Sequence, residues 1–116
     1  MTLAANKTSW EKLNIFRLSA SDVVDINYIN LWFPAGCGDD IQLRVFCNSA
    51  QVLPYPSSGV ATPSQGLFIT GDDVTYRFKV NLRLKRGETI SVEYKNTNST
   101  DSYKVAVWLE ATRRLG

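Results

Sequence analysis

The chain contains no histidine. That removes the side chain most used for proton transfer near neutral pH and the commonest metal ligand. Nucleophile–histidine arrangements and mixed Cys/His zinc sites go with it. Only two cysteines occur, Cys37 and Cys47. Cys37 falls in a loop before a strand that starts at Ile41, and Cys47 near that strand's far end. If the loop extends away from the strand, a strand rise of ~3.3 Å per residue puts them roughly 20 Å or more apart, well beyond the ~7 Å Cα separation a disulfide tolerates. Two free thiols are therefore expected, as in a reducing compartment. No apolar run approaches the ~20 residues of a membrane span, and Met1 to Thr8 lacks the apolar centre of a signal peptide. The expectation is a protein made and assembled in a cytoplasm. Gly36-Cys37-Gly38 has neither the third glycine of a dinucleotide-binding turn nor a helix after it. A net charge of +2 argues against a dedicated nucleic-acid or membrane binder.

What is present is alternation. From Val74 to Leu84 every second residue is apolar: Val74, Tyr76, Phe78, Val80, Leu82 and Leu84. Thr75, Arg77, Lys79, Asn81 and Arg83 lie between them. Successive side chains of a strand point to opposite faces, so this segment has one buried and one wet face. Further strands are expected over 10–18, 23–33, 41–48, 66–70, 88–95 and 103–113. Val23 to Phe33 reads as apolar on both faces, with Val23, Ile29, Leu31 and Phe33 on one and Val24, Ile26, Tyr28 and Trp32 on the other. Residues 49–65, with Pro54, Pro56 and Pro63, read as a long irregular loop. The chain's 116 residues fit one domain. The expected fold is all-β: a single-domain antiparallel β-sandwich or jelly roll of about seven or eight strands. A polar N-terminal arm (1–9) precedes a sandwich domain (10–116), and the arm is expected to be ordered by a neighbouring subunit.

Lys85-Arg86-Gly87 suits a three-residue hairpin loop with a left-handed glycine. That register pairs Leu84 with Glu88, Leu82 with Ile90, Val80 with Val92 and Phe78 with Tyr94. It also sets Lys79 opposite Glu93, and Arg77 opposite Lys95 as a mild like-charge conflict.

Asp39-Asp40 and Asp72-Asp73 sit in glycine-flanked turns, where aspartate bonds its own backbone, so neither pair is taken as a metal site. No catalytic, cofactor-binding or metal-binding residue is assigned, and no enzyme is expected. The surface offers interface candidates instead. Trp108 lies on the polar side of the last strand, Tyr55 in the proline-rich loop, and Trp10 just after the arm. Exposed aromatics mark protein interfaces or sugar-stacking sites. Arg77, Lys79 and Arg83 line one outward strand face, and Arg44 is a candidate to join them.

The C-terminal half runs Lys85-Arg86-Gly87-Glu88-Thr89-Ile90-Ser91-Val92-Glu93-Tyr94-Lys95-Asn96, then, after an Asn-rich loop, Val105-Ala106-Val107-Trp108-Leu109-Glu110. This cadence resembles the ends of small β-sandwich domains in viral and phage structural proteins, including capsid decoration and tail-associated proteins. The resemblance implies a non-enzymatic virion component of the decoration or cement type. Such a component would be assembled in the host cytoplasm, form a homo-oligomer and contact other capsid subunits. The alternative is a carbohydrate-binding module that stacks glycans on Trp10, Trp108 or Tyr55.

Overall fold

In the computed structural model, residues 1–19, 23–54 and 68–114 are described. Among them the chain forms nine strands and no helix: β1 Thr2–Leu3, β2 Lys7–Arg17, β3 Val23–Phe33, β4 Ile41–Cys47, β5 Ala50–Leu53, β6 Val74–Leu84, β7 Thr89–Asn96, β8 Tyr103–Lys104 and β9 Ala106–Arg114. They make three antiparallel sheets, ordered β2-β7-β4-β5, β6-β3-β9 and the short pair β1-β8. One continuous apolar core draws Ile26, Ile29, Leu31 and Phe33 from β3 and Leu84 from β6. From the other large sheet it takes Leu43, Val45, Ile90 and Val92. The result is a sandwich-like all-β fold.

The two-faced reading of β3 is resolved by a bulge. Ile26 pairs with Leu82 and Ala111, whereas Ile29 pairs with Phe78 and Leu109. The spacing between these pairs differs in all three strands, so the side-chain parity of β3 flips around Asn27. Val24, Ile26, Ile29, Leu31 and Phe33 thereby share the core side and are all buried. Tyr28, Asn30 and Trp32 turn outward.

The hairpin expected at Lys85-Arg86-Gly87 does not form. β6 pairs with β3, while β7 lies between β2 and β4 in the other sheet. The turn is an arch from one sheet to the other, with Gly87 at φ 87 and Glu88 N donating to Lys85 O at 3.0 Å. Both long edges of β7 are occupied, by β2 and β4, so its apolar side enters the core from the other sheet instead of flanking β6. The expected charge register goes with the hairpin. Arg44, not Lys79, stands opposite Glu93, and Arg77 stands opposite Asn30.

Two other segments differ from expectation. Leu3 is fully buried, and Thr2 and Leu3 pair with Lys104 and Tyr103. The N-terminal ammonium donates to Val105 O at 2.8 Å, and β2 already starts at Lys7. The first nine residues are thus held by their own chain, because Leu3 fills a core position that a composition-based reading of a polar arm passes over. Of the expected 49–65 loop, residues 55–65 lie outside the described residues, and Ala50–Leu53 forms β5 against β4, after a tight turn in which Asn48 takes φ 55. Of the expected 66–70 strand, residues 66 and 67 lie outside the described residues, and Ile69 bridges to Leu43. Both cysteines are free. Cys37 is buried, its Sγ donating to Pro34 O at 3.2 Å and Gly71 O at 3.1 Å, and burial pushes its thiol pKa up.

Candidate functional site

The outer face of the β6-β3-β9 sheet is built from three cross-strand rows. They are Thr75, Trp32 and Ala106; Arg77, Asn30 and Trp108; and Lys79, Tyr28 and Glu110. The alternation of β6 sends Arg77 and Lys79 outward, and the β3 bulge delivers Tyr28, Asn30 and Trp32 to the same side. Trp32 and Trp108 occupy diagonal positions on neighbouring strands, a separation that long aromatic side chains bridge. They are 37% and 44% exposed, unusual for the largest side chain.

Between the aromatics lies a fixed polar network. Arg77 donates from Nε to Glu110 Oε2 at 2.8 Å and from a terminal nitrogen to Oε1 at 3.0 Å. Asn30 Nδ2 donates to the same Oε2 at 3.0 Å. The two-pronged fork is the strong geometry for a guanidinium–carboxylate pair. Hydrogen bonds from Arg77 first and Asn30 second hold the Glu110 carboxyl down at about 2. The Arg77 guanidinium also lies 3.6 Å from the Tyr28 ring centroid, so the cation is stacked and paired at once. Beyond the bulge, Arg83 Nε bonds Asp25 Oδ1 at 2.8 Å, and Asn27 Nδ2 donates to Thr112 Oγ1 at 3.2 Å.

The face therefore gathers three of the expected interface residues, Trp108, Arg77 and Lys79, with Arg83 at its margin. The basic stripe is largely neutralised, since Arg77 and Arg83 are each paired with a carboxylate. Arg44 does not join it. Arg44 is buried on the outer side of the other sheet, bonded through Nε to Glu93 Oε1 at 2.8 Å. Trp10 belongs with it, half-buried, with the Arg44 guanidinium 3.9 Å and the Lys95 ammonium 4.8 Å from its ring centroid. Trp10 and Trp108 thus sit on different sheets and form no common platform. Tyr55 lies outside the described residues.

Trp32, Tyr28, Asn30 and Glu110 were not singled out from the sequence. A signal existed. Asn27 and Asn30 are three residues apart, and a regular strand cannot keep both on one polar side. Among the described residues, no three His, Cys, Asp or Glu side chains gather as metal ligands, and no helix is long and apolar enough to cross a membrane. Compared with known proteins, the chain matches no family model, no curated protein and no solved structure.

Proposed function

We propose that the chain is a non-enzymatic structural subunit of a viral or phage particle, of the decoration or cement type. It would act in the virion by docking the Trp32–Trp108 face against another subunit. The observation that carries this reading is the face itself. Trp, Tyr and Arg are the residues that dominate interface energetics, and here two tryptophans stand exposed beside an arginine already held by Glu110 and Tyr28. A side chain ordered before contact loses less entropy when a partner arrives.

Fold topology supports the same reading. We read β8 and β9 as one strand interrupted at Val105. The antiparallel pairs β1 with β8/β9, β2 with β7, β3 with β6 and β4 with β5 then follow the rolled-up hairpin of an eight-strand jelly roll. That architecture recurs in viral capsid domains and in lectins, and fold alone does not fix which.

The test is molar mass by light scattering across a wide concentration range, for the wild type and for Trp32→Ala/Trp108→Ala. Self-association that disappears in the double variant is the expected result. A wild type that stays monomeric and binds no capsid or tail surface would sink the proposal.

A second reading, a glycan-binding module, is favoured by one observation: two exposed tryptophans share a face, as sugar stacking requires. Titration of tryptophan fluorescence with glycans tests it, and a flat response across a glycan panel removes it.

A further inference from the structure

One end of the molecule combines open cavities with two exposed guanidinium groups, those of Arg17 and Arg86. The end of β2 is locked against the β6–β7 arch, with Gly87 N donating to Leu18 O at 2.7 Å and Leu18 N to Glu88 O at 3.1 Å. A cavity of about 270 Å³ opens there, lined by Arg17, Leu18, Ser19, Arg86 and Gly87. A second, of about 300 Å³, adjoins it through Arg17, Leu18 and Ser19 and extends to Phe16, Val24 and Arg113. Leu18 and Val24 are buried and Phe16 is half-buried, so the floor is apolar while Arg17 and Arg86 stand exposed at the rim.

Glu88, the acid of the arch, is already engaged. Glu88 accepts from Lys85 N at 2.7 Å and from Asn48 Nδ2 at 2.8 Å. The ion pairs Lys7–Glu11, Arg44–Glu93, Arg77–Glu110 and Arg83–Asp25 involve neither Arg17 nor Arg86. Gly87, at φ 87, has open space where a Cβ would stand, which leaves the backbone approachable.

We propose that this end binds a phosphate-type oxyanion. Arg17 and Arg86 supply guanidinium forks, whose planar donors match tetrahedral oxyanions, and the Ser19 hydroxyl supplies a further donor. The volumes sit at the lower edge of the ~300–1,000 Å³ range of small-molecule pockets, which suits phosphate or pyrophosphate with a short substituent. The proposal stands independently of the Trp32–Trp108 face.

Calorimetric titration with inorganic pyrophosphate at low salt tests it, on the wild type, Arg17→Gln, Arg86→Gln and Lys104→Gln. Lys104→Gln removes the same charge from an exposed position at the opposite end of the β8–β9 segment. Saturable binding is expected, weakened about tenfold or more by either arginine substitution, as for hydrogen bonds to charged groups, and within about twofold of wild type for Lys104→Gln. Unchanged melting temperatures confirm that the variants fold. An oligothymidylate arm distinguishes the source of the phosphate. Oligonucleotide binding with the same arginine dependence, competed by pyrophosphate, assigns the site to a phosphate within a polymer. Absence of saturable pyrophosphate binding overturns the proposal, as does equal weakening by all three substitutions.

Discussion

Replacing Leu3 by alanine separates two pictures of the N-terminus. If the first residues were a loose arm, the change would be nearly silent. In this fold Leu3 is fully buried and its strand partner is Tyr103. Burying a leucine side chain contributes ~1.5–3 kcal/mol, and the unfilled cavity adds to the loss, so leucine-to-alanine changes in cores cost ~2–5 kcal/mol. The strand is short and terminal, so the cavity has room to collapse, and we expect about 3 kcal/mol. A urea slope of ~1–3 kcal/mol per molar then moves the unfolding midpoint down by ~1–3 M at unchanged slope. Thr2→Ala is the matched control, because Thr2 is exposed on the same strand and surface changes stay within ~0.5 kcal/mol. Urea melts followed by tryptophan fluorescence give the answer. Coincident midpoints for Leu3→Ala and Thr2→Ala would refute the docked N-terminus. Removal of residues 1–9 should, on the same grounds, destabilise the monomer itself.

Glu110→Gln should change how stability depends on acid. The Glu110 carboxyl ordinarily titrates at 4.5 and is held at about 2 in the fold. Its contribution is therefore complete above about pH 4.5 and fades as pH falls towards 2. The gap in stability between wild type and variant should close over that window; a gap constant from pH 6 to pH 2 would contradict the assignment. Gly71→Ala should destabilise by ~1–3 kcal/mol through overpacking, because a Cβ there would meet Val74 Cγ1 at 2.5 Å and Phe33 Cδ2 at 2.9 Å. Valine is stiff at χ1 and Phe33 is fully buried, so neither yields readily. A thermal melt matching wild type would show that the loop relaxes.

Much of the fold was legible because alternation is a local property. β6 spans Val74–Leu84 and β3 spans Val23–Phe33, as read from the apolar periodicity. What alternation cannot report is which strand lies beside which. The inward sides of β6 and β7 are equally satisfied as neighbours in one sheet or as opposite walls of the core, and only the competition of β2 and β4 for the edges of β7 decides. Short elements escaped for a related reason. β1 has two residues, too few for a period to register, yet its Leu3 is a core residue. At the candidate site, Trp108 was visible from its place among polar residues. Trp32 was hidden because the bulge reverses parity midway along β3, and a strand read as regular from end to end assigns Trp32 to the side of Val24 and Ile26.

Pairing β1 with β8 and β3 with β9 has a consequence for synthesis. Thr2 and Leu3 wait for Tyr103 and Lys104, and β3 gains β9 only once Ala106–Arg114 has been made. A chain built from such distant pairings closes large loops before any contact rewards the closure, so it folds slowly for its size. Until β8 and β9 emerge, β3 keeps one uncovered edge and Leu3 has no seat, which exposes sticky strand surface to other nascent copies. Translation that stops short of β9 would then yield aggregating fragments, and β8 and β9 would act as the latch that closes the sandwich.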